Sequence, residues 1–425
     1  MTRYTFSSSF LGIIFTARCA FSKRSWPYLA ACAVPWLLCG GQRYIGRLAG
    51  LGQHRRSLSG YYRFLSDGKW RLRALFRALF DLAVREFKLT ELTLVLDDTL
   101  CPKWGRQIFG AGSFFDHVKR PRAGYIWGHN WVVLAVVVQV GKVGWVALPF
   151  WIALYRPKQL CPPALFRTRH ELAVEALTAV REWFPGAITL LADGAYNNDS
   201  IAGPARKLNL ELVSRMRCDA RLRRSKPPRQ PKGKRGRKPK LGAWLPKLSV
   251  LARAGRAFRT ERVQIYGKTV ELRVREVVAY WPPLDRVVKV VISRDPKRKH
   301  RTAYLMTTDL TMSAVRVVEL FARRWTVEQL FAVAKNQMGL GSAEVRKERA
   351  VTRHAALCLA LITWMEVWAH RCCPALRERS FARKLAALRS ETIAQTIFSS
   401  GPRGYRAREI AATLGILYAT ATSAA

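Results

Sequence analysis

Three acidic residues occupy positions that suit the binding of metal ions. Asp97 and Asp193 each follow a short apolar run of β-forming residues, at 92–96 and 188–192. Glu328 lies far along the chain, in a segment with helical periodicity. Mg²⁺ and Mn²⁺ prefer carboxylate oxygens, and two such ions about 3.5–4 Å apart can activate water and neutralise charge on a phosphodiester under attack. The three acids therefore predict a two-ion site that cleaves phosphodiester bonds.

The two aspartates have simpler interpretations when each is considered alone. Asp97 with Asp98 and Thr99 is typical of a turn at a strand end, and Asp193 with Gly194 is a common turn pair. Successive strand residues point to opposite faces, so only one of Asp97 and Asp98 can face the site. From the residues themselves, either aspartate remains open.

Glu328 belongs to a segment, 313–338, that predicts one amphipathic helix. At about 100° per residue, Phe321, Arg324, Glu328 and Lys335 lie within about 60° of one another on one face. That face, at the border of an apolar stripe, predicts a metal ligand with two phosphate-binding cations. The alternative is an ordinary surface helix with an i, i+4 ion pair between Arg324 and Glu328.

The same four residues, Phe321, Arg324, Glu328 and Lys335, match a known signature: Tyr, two residues, Arg, three residues, Glu, six residues, Lys. In this the chain resembles the DDE transposases of bacterial insertion sequences, whose catalytic domain is RNase H-like. Phe321 stands where the signature has tyrosine, so any hydrogen bond from that hydroxyl to a phosphate is lost. Because the ring still suits the apolar border of the helix, we expect weaker positioning of DNA rather than an inactive site.

Other motifs agree with this resemblance, which covers about residues 90–355. The Asp-x-Thr at 97–99 and the Ala-Asp-Gly-Ala-Tyr at 192–196 are similar to motifs of the family. The strand-rich stretch between the second aspartate and the glutamate is similar to that of the cut-and-paste branch. The Asp-x-Thr match favours Asp97 as the ligand and leaves Asp98 as the alternative.

The resemblance implies a role for each matching residue. Asp97, Asp193 and Glu328 would be catalytic and would bind two Mg²⁺ or Mn²⁺ ions, and Arg324 and Lys335 would hold DNA phosphates. In this family an aromatic residue of the insertion stacks on an extruded base. Three aromatic residues are candidates for that role, although core packing is the simpler explanation of each: Trp244, Tyr266 and Trp281.

The function implied by the resemblance is DNA transposition. The chain would bind the terminal inverted repeats of an insertion sequence, cleave the strands with bound metal and transfer them to target DNA. A homodimer is expected, because two ends must be synapsed. Two alternatives remain open: a catalytically silent DNA-binding relic or repressor of transposition, and an RNase H-like repair or resolving nuclease.

The predicted fold class is α/β, with an RNase H-like mixed sheet flanked by helices. A β-rich insertion interrupts the sheet, and a helical region precedes it. The predicted divisions are a helical DNA-binding region at 1–86, the first part of the catalytic core at 87–220, a basic linker and β-rich insertion at 221–300, the second part of the core with the Glu helix at 301–372, and a C-terminal helical region at 373–425.

The charge of the chain points to a polyanionic partner. Lys and Arg outnumber Asp and Glu by 73 to 28, which gives a formal net charge of +45, while 49% of the residues are hydrophobic. A folded chain this basic predicts binding of double-stranded DNA, although a GC-rich genome also favours arginine. The densest basic run, 221–240, predicts a phosphate tether or a minor-groove hook. Its candidate DNA-binding residues are Arg229, Lys232, Lys234, Arg235, Arg237, Lys238 and Lys240.

Cysteine use and hydropathy predict a cytoplasmic protein. The nine cysteines are scattered without zinc-finger spacing, which favours reduced thiols. The apolar run at 27–40 is shorter than the roughly 20 residues that span a membrane, and it predicts a buried helix. We expect a bacterial, nucleoid-associated location and no membrane partner.

Overall fold

The computed structural model of the chain describes residues 8–39, 43–51, 57–116, 124–225, 241–297 and 299–400. The chain divides into two compact units, each assembled from separated segments. Unit 1 contains Met1–Leu89, Asp98–Arg167 and Glu328–Ala425, and unit 2 contains Thr90–Asp97 and Thr168–Val327. The five-part division drawn from the sequence stays a prediction.

Helices and strands are mixed along the described residues. The helices are α1 (Ser8–Phe15), α2 (Trp26–Leu38), α3 (Ile45–Leu51), α4 (Leu58–Ser66), α5 (Leu72–Glu86), α6 (Arg169–Trp183), α7 (Asp199–Lys207), α8 (Leu248–Leu251), α9 (Ala314–Arg323), α10 (Trp325–Asn336), α11 (Glu348–Cys372) and α12 (Phe381–Ser400). The strands are β1 (Leu92–Pro102), β2 (Gly112–Phe115), β3 (Tyr125–Val140), β4 (Gly144–Tyr155), β5 (Ile188–Ala192), β6 (Glu211–Arg215), β7 (Arg259–Ile265), β8 (Lys268–Trp281), β9 (Arg286–Arg294) and β10 (Ala303–Thr307). The strands pair both in parallel and antiparallel, so the predicted α/β class with a mixed sheet is confirmed.

Unit 2 contains the parallel part of the sheet. Its strand order is β1-β5-β6-β10-β9-β8-β7, with β1, β5 and β6 parallel and the remaining neighbours antiparallel. Parallel neighbours need crossover connections, and α7 supplies the one between β5 and β6. Helix α6, which leads into β5, begins at a capping box formed by Thr168 and Glu171. Strands β1 and β5 are largely buried, as their continuous apolar sequences predict.

The strand-rich stretch predicted between Asp193 and Glu328 is present in unit 2. Strands β7 and β8 form a hairpin in which Ile265 pairs with Lys268. Its two turn residues, Tyr266 and Gly267, both have positive φ, as a tight two-residue hairpin turn requires. Strand β8 pairs with β9 and β9 pairs with β10, so the stretch extends the sheet of unit 2.

Strand β1 is longer than the sequence predicts. The apolar run indicates a strand that ends at Asp97, but β1 continues to Pro102 and passes from unit 2 into unit 1. Thr99 and Cys101 are buried and Asp98 is half-buried, so the alternation of a strand persists. In unit 1 the chain stays beside β3, where the Lys103 amide donates to the carbonyl of Trp127 over 2.9 Å. This pairing with a distant strand explains the extension.

Unit 1 packs helices against a long antiparallel hairpin. Strands β3 and β4 pair from Asn130–Tyr155 to Val140–Gly144, and β2 pairs with β3. Helices α5 and α11 contact β4, and the apolar run in β3 is buried. The predicted buried helix near 27–40 is confirmed as α2. Helix α11 is long and apolar enough to cross a membrane, yet 94% of its apolar window is buried inside the structure.

The predicted single helix over 313–338 is wrong at one point. Arg324 separates α9 from α10. Its amide bonds to the carbonyl of Phe321, and the amide of Val327 bonds to the carbonyl of Arg324, which are i to i−3 contacts that tighten the chain. The Thr326 hydroxyl also donates to the Arg323 carbonyl over 2.8 Å and competes for it with the backbone. Apolar periodicity continues through this tight turn, and for that reason the sequence does not reveal it.

Candidate active site

The parallel pairing of β1 with β5 brings Asp97 and Asp193 next to each other. Leu96 is opposite Ala192 in the register, and the two aspartates directly follow these residues. Neighbouring strands are about 5 Å apart, so the two α-carbons have about this separation. Both side chains are half-buried. Two carboxylates so placed are suited to sharing a divalent ion.

Arg324 contacts the first of these aspartates. Its Nη1 donates to Asp97 Oδ2 over 3.3 Å, and the two side chains are 14% and 20% exposed, respectively. The guanidinium also lies over the ring of Phe321, 5.6 Å from its centroid. Phenylalanine in place of the signature tyrosine thus still holds the arginine through the face of its ring. Arg324, Phe321 and Asp97 form one connected group within unit 2.

The backbone around Asp193 is fixed by a short 3-10 turn, Gly194–Tyr196. The Asp193 carbonyl accepts from the Tyr196 amide over 3.0 Å and from the Ser214 hydroxyl over 3.2 Å. Tyr196 is 1% exposed and anchors the turn in the core. The turn therefore presents the Asp193 side chain from a rigid strand end.

Asp193 opens into a cleft of about 960 Å³ within unit 2. The lining includes three arginines, three aromatic residues and two aspartates, and it comprises Asp193, Gly194, Asn197, Arg215, Met216, Arg217, Cys218, Asp219, Ala220, Arg221, Trp244, Trp281, Pro282, Pro283 and Tyr304. The guanidinium groups of Arg221 and Arg223 lie over the Trp244 ring, at 5.4 and 5.2 Å from its centroid. The cleft thus combines a carboxylate with groups that complement phosphates and bases.

Two of the three predicted stacking residues line this cleft. Trp244 is half exposed, whereas Trp281 is 9% exposed. Tyr266 is 61% exposed at the turn between β7 and β8, where its ring is 6.5 Å from that of His300. The lining does not include Tyr266. The geometry therefore keeps Trp244 and Trp281 as candidates for stacking beside Asp193.

Asn197 is a site residue that sequence reasoning missed. Its Nδ2 donates to the Arg215 carbonyl over 3.1 Å, which orients the carboxamide. Its Oδ1 is buried and has no hydrogen-bond partner among the described residues, and the whole residue is 8% exposed. A buried carbonyl-type oxygen without a donor needs a partner, and a hard cation supplies one. Asp97, Asp193 and Asn197 are oxygen donors of the kind that Mg²⁺ or Mn²⁺ binds.

Glu328 and Lys335, the remaining residues of the signature, lie on α10 in unit 1. Glu328 is in the first turn of the helix and Lys335 in the last, and both are half-buried. Within the described residues, no group of three or more His, Cys, Asp or Glu side chains is placed to hold a metal ion. The structure thus joins Asp97 with Arg324 and sets Asp193 beside them. Glu328 as the third ligand stays a prediction.

Lys335 interacts electrostatically with the Cys101 thiol in unit 1. Burial raises the pKa of the Cys101 thiol to about 11, against the opposing effect of the Lys335 and Lys103 ammonium groups. Lys103 is itself buried and donates to the Ala343 carbonyl over 2.7 Å. Lys335 therefore lies close to the second half of β1, the strand that carries Asp97 in its first half.

Most of the predicted basic tether, residues 226–240, lies outside the described residues. All seven of its candidate DNA-binding residues fall in this part: Arg229, Lys232, Lys234, Arg235, Arg237, Lys238 and Lys240. The described ends of this segment meet at Arg223 and Trp244, which form an isolated β-bridge. Arg221 and Trp244, which lie on either side of residues 226–240 in the sequence, both line the cleft.

Comparison with known proteins adds one match. The sequence profile of the DDE superfamily endonucleases matches residues 18–271, which is more than half of the chain. The match includes Asp97 and Asp193 and ends before Glu328. No curated protein matches the chain. The match agrees with the observed mixed α/β sheet, and together they support the predicted RNase H-like fold.

Proposed function

Because the chain belongs to the DDE superfamily endonucleases, we propose that it is a transposase. It binds the terminal inverted repeats of an insertion sequence, cleaves the DNA strands at those ends and transfers them to target DNA. The observation that supports this most is the pairing of β1 with β5, which sets Asp97 beside Asp193 with Arg324 on the first carboxylate.

Divalent metal fits the donors of this site. DDE endonuclease domains generally use such ions. Asp97 and Asp193 would hold two Mg²⁺ or Mn²⁺ ions, the Asn197 Oδ1 would add a neutral oxygen ligand, and Glu328 would complete the set as the signature implies. The ions would supply a nucleophilic water at neutral pH and neutralise charge on the phosphodiester.

Arg324 orients one of the carboxylates and can hold a phosphate as well. A guanidinium presents five N–H donors in a planar fork, and Nη1 here donates to Asp97 Oδ2 over 3.3 Å. The guanidinium lies over the ring of Phe321, which limits its rotation. Arg324 can therefore position a DNA phosphate relative to Asp97, and Lys335 would bind a second phosphate, as the signature implies.

The cleft beside Asp193 is suited to bind the DNA strand that is cut. Arg215 and Arg221 contribute positive charge to its lining, whereas Arg217 is paired with Asp219, and this charge attracts the phosphate backbone. Trp244 and Trp281 would stack on an extruded base at the element end. We further propose that the enzyme acts as a homodimer on two synapsed ends, in the bacterial cytoplasm at the nucleoid.

Cleavage of a cognate end is the direct test. The DNA flanking the gene supplies the candidate inverted repeats, and labelled duplexes of these ends are incubated with the protein and Mg²⁺. Asp97→Asn, Asp193→Asn and Glu328→Gln should each abolish cutting while DNA binding persists. Asp98→Asn is the matched control and should continue to cut.

Three results would contradict the proposal. A parent protein that binds the ends but never cuts them would be a repressor or relic. A protein that cuts branched DNA without requiring the repeats would be a repair or resolving nuclease. Normal cutting by Glu328→Gln would remove the third ligand and with it the signature on which the function depends.

A further inference from the structure

The loop between β1 and β2 in unit 1 exposes a tryptophan almost completely. Trp104 is 96% exposed, more than any other large hydrophobic side chain in the described part of the chain. Burial of apolar surface is the main driving force of folding and association, so a fully exposed indole contributes nothing to the fold. An indole displayed in this way is suited to contact another molecule.

The loop that carries Trp104 is held firmly on its first side. The Lys103 amide donates to the Trp127 carbonyl over 2.9 Å, and the Trp127 Nε1 donates back to the Gly105 carbonyl over 3.1 Å. The buried Lys103 ammonium donates to the Ala343 carbonyl over 2.7 Å. Both neighbours of Trp104 in the sequence are therefore fixed.

The second side of the loop is anchored as well. The Phe109 carbonyl is 2.9 Å from the Nε2 of buried His129, and the Phe109 amide donates to the Arg346 carbonyl over 3.0 Å. The Arg156 guanidinium lies over the Phe109 ring, 4.5 Å from its centroid. Burial lowers the pKa of His129 to about 4, so its ring is a neutral partner of this loop at physiological pH. A rigid loop presents Trp104 without a large entropic cost of ordering on binding.

The surface around the loop is basic. Arg106 is exposed two residues after Trp104, and the Arg346 guanidinium donates to the Gln107 carboxamide over 3.2 Å. Lys347 and Arg349 are exposed on the segment that follows. Two acids, Glu344 and Glu348, are exposed on the same segment. They are fewer than the exposed cations, so the net charge of this surface is positive. An aromatic face flanked by cations complements a nucleic-acid base flanked by phosphates.

We propose that Trp104 stacks on an unpaired base of bound DNA while Arg106 and Arg346 contact the adjacent phosphates. This inference rests on the proposed function, because it takes the DNA substrate as the occupant. A protein partner is disfavoured because the exposed side chains that directly follow in this loop, Arg106 and Gln107, are polar. Stacking tolerates any base, so the contact would act on DNA of any sequence.

Fluorescence anisotropy of a labelled, mixed-sequence duplex with a single-stranded end tests the proposal. The full chain is titrated in EDTA, so that cleavage plays no part. Trp104→Ala should weaken binding roughly 5- to 150-fold, which is the range for loss of one base–aromatic stack, and Trp104→Phe should retain most of the affinity. Leu165→Ala, which removes another side chain of unit 1 that is 63% exposed, is the matched control and should bind as the parent does.

Salt dependence separates stacking from charge. Trp104→Ala should leave the slope of log Kd against log salt unchanged, whereas Arg106→Ala should reduce it by about one. Equal affinity of Trp104→Ala and the parent would overturn the inference and leave the proposed function intact. Equal DNA affinity with loss of self-association in sedimentation would overturn it too and assign the loop to a second copy. A parent that binds no DNA would refute the proposed function itself.

Discussion

The carboxylates of Asp97 and Asp193 predict an unusual stability profile for Asp193→Asn. Taking the separation of the α-carbons, about 5 Å, as that of the carboxylates, the two unit charges repel by about 3 kcal/mol at an effective dielectric constant of 20 and by about 1 kcal/mol in water. Asp97 is 20% exposed and its charge is partly offset by Arg324 at 3.3 Å, so the lower figure applies. Without metal, Asp193→Asn should therefore stabilise the protein by about 1 kcal/mol.

With bound metal, the parent should become more stable than Asp193→Asn. A ligand present at about 100 times its Kd stabilises the protein to which it binds by about 2.7 kcal/mol. For a unit of this size, that corresponds to a rise in Tm of roughly 5–10 °C. The parent should show this rise with Mn²⁺, and Asp193→Asn should lose it because half of the aspartate pair is gone.

Thermal and urea unfolding in EDTA and in Mn²⁺ measure both effects. Asp98→Asn is the control, since it removes the neighbouring carboxylate and should keep the full effect of Mn²⁺. Equal stabilisation of Asp193→Asn and the parent by Mn²⁺ would show that Asp193 is not a ligand. If Asp193→Asn in EDTA were less stable than the parent, the calculated repulsion would be refuted.

Three further substitutions test separate parts of the structure. Phe321→Tyr restores the signature hydroxyl and keeps the ring under Arg324, so we expect tighter binding of a cognate end; weaker binding in an anisotropy titration would contradict this. Asn197→Ala removes the buried oxygen and should raise the Mn²⁺ dissociation constant roughly 10-fold, while an unchanged constant in calorimetry would exclude the residue as a ligand. Lys384→Met breaks a buried 2.6 Å ion pair with Glu366 and should cost about 3–5 kcal/mol at neutral pH. Burial holds the pKa of the Glu366 carboxyl above its ordinary value, so folding favours its protonated form. Lys384 opposes this effect, so the pKa of Glu366 is higher still in Lys384→Met. The stabilisation by protonation is present at low pH and is lost as pH rises through the folded-state pKa; because it is larger in the variant, the deficit of Lys384→Met should shrink on acidification. An equal deficit at neutral and acidic pH in urea unfolding would refute this argument.

The part of the site that could be predicted from the sequence is the part determined by local pattern. Strand β5 is a short apolar run bounded by turn residues, so the sequence predicts both its end and Asp193 after it. The extension of β1 to Pro102 depends on its pairing with residues near Trp127, which are distant in the sequence. Periodicity cannot reveal such pairing, and the predicted strand therefore stops too early.

The break at Arg324 and the role of Asn197 were also beyond the sequence. A tight turn between α9 and α10 preserves the apolar stripe, so a periodicity of 100° per residue predicts one helix instead of two. Asn197 has no distinguishing motif, and its importance arises only when the Arg215 carbonyl binds its amide and leaves Oδ1 buried. The one sequence feature that could have indicated Asn197 is the strand that ends at Arg215, because this strand, β6, is parallel to and next to β5.

The charge of the chain and the chemistry of the site make opposite demands. A net charge of +45 attracts a polyanion such as DNA, but two carboxylates repel a phosphodiester that approaches them. Arg324 offsets the charge of Asp97, and arginines line the cleft into which Asp193 opens. Under the proposed function, a divalent ion would neutralise the remaining negative charge and allow the phosphodiester to reach the two acids. General attraction by basic residues would then contribute affinity, and the acid pair would determine where cleavage occurs.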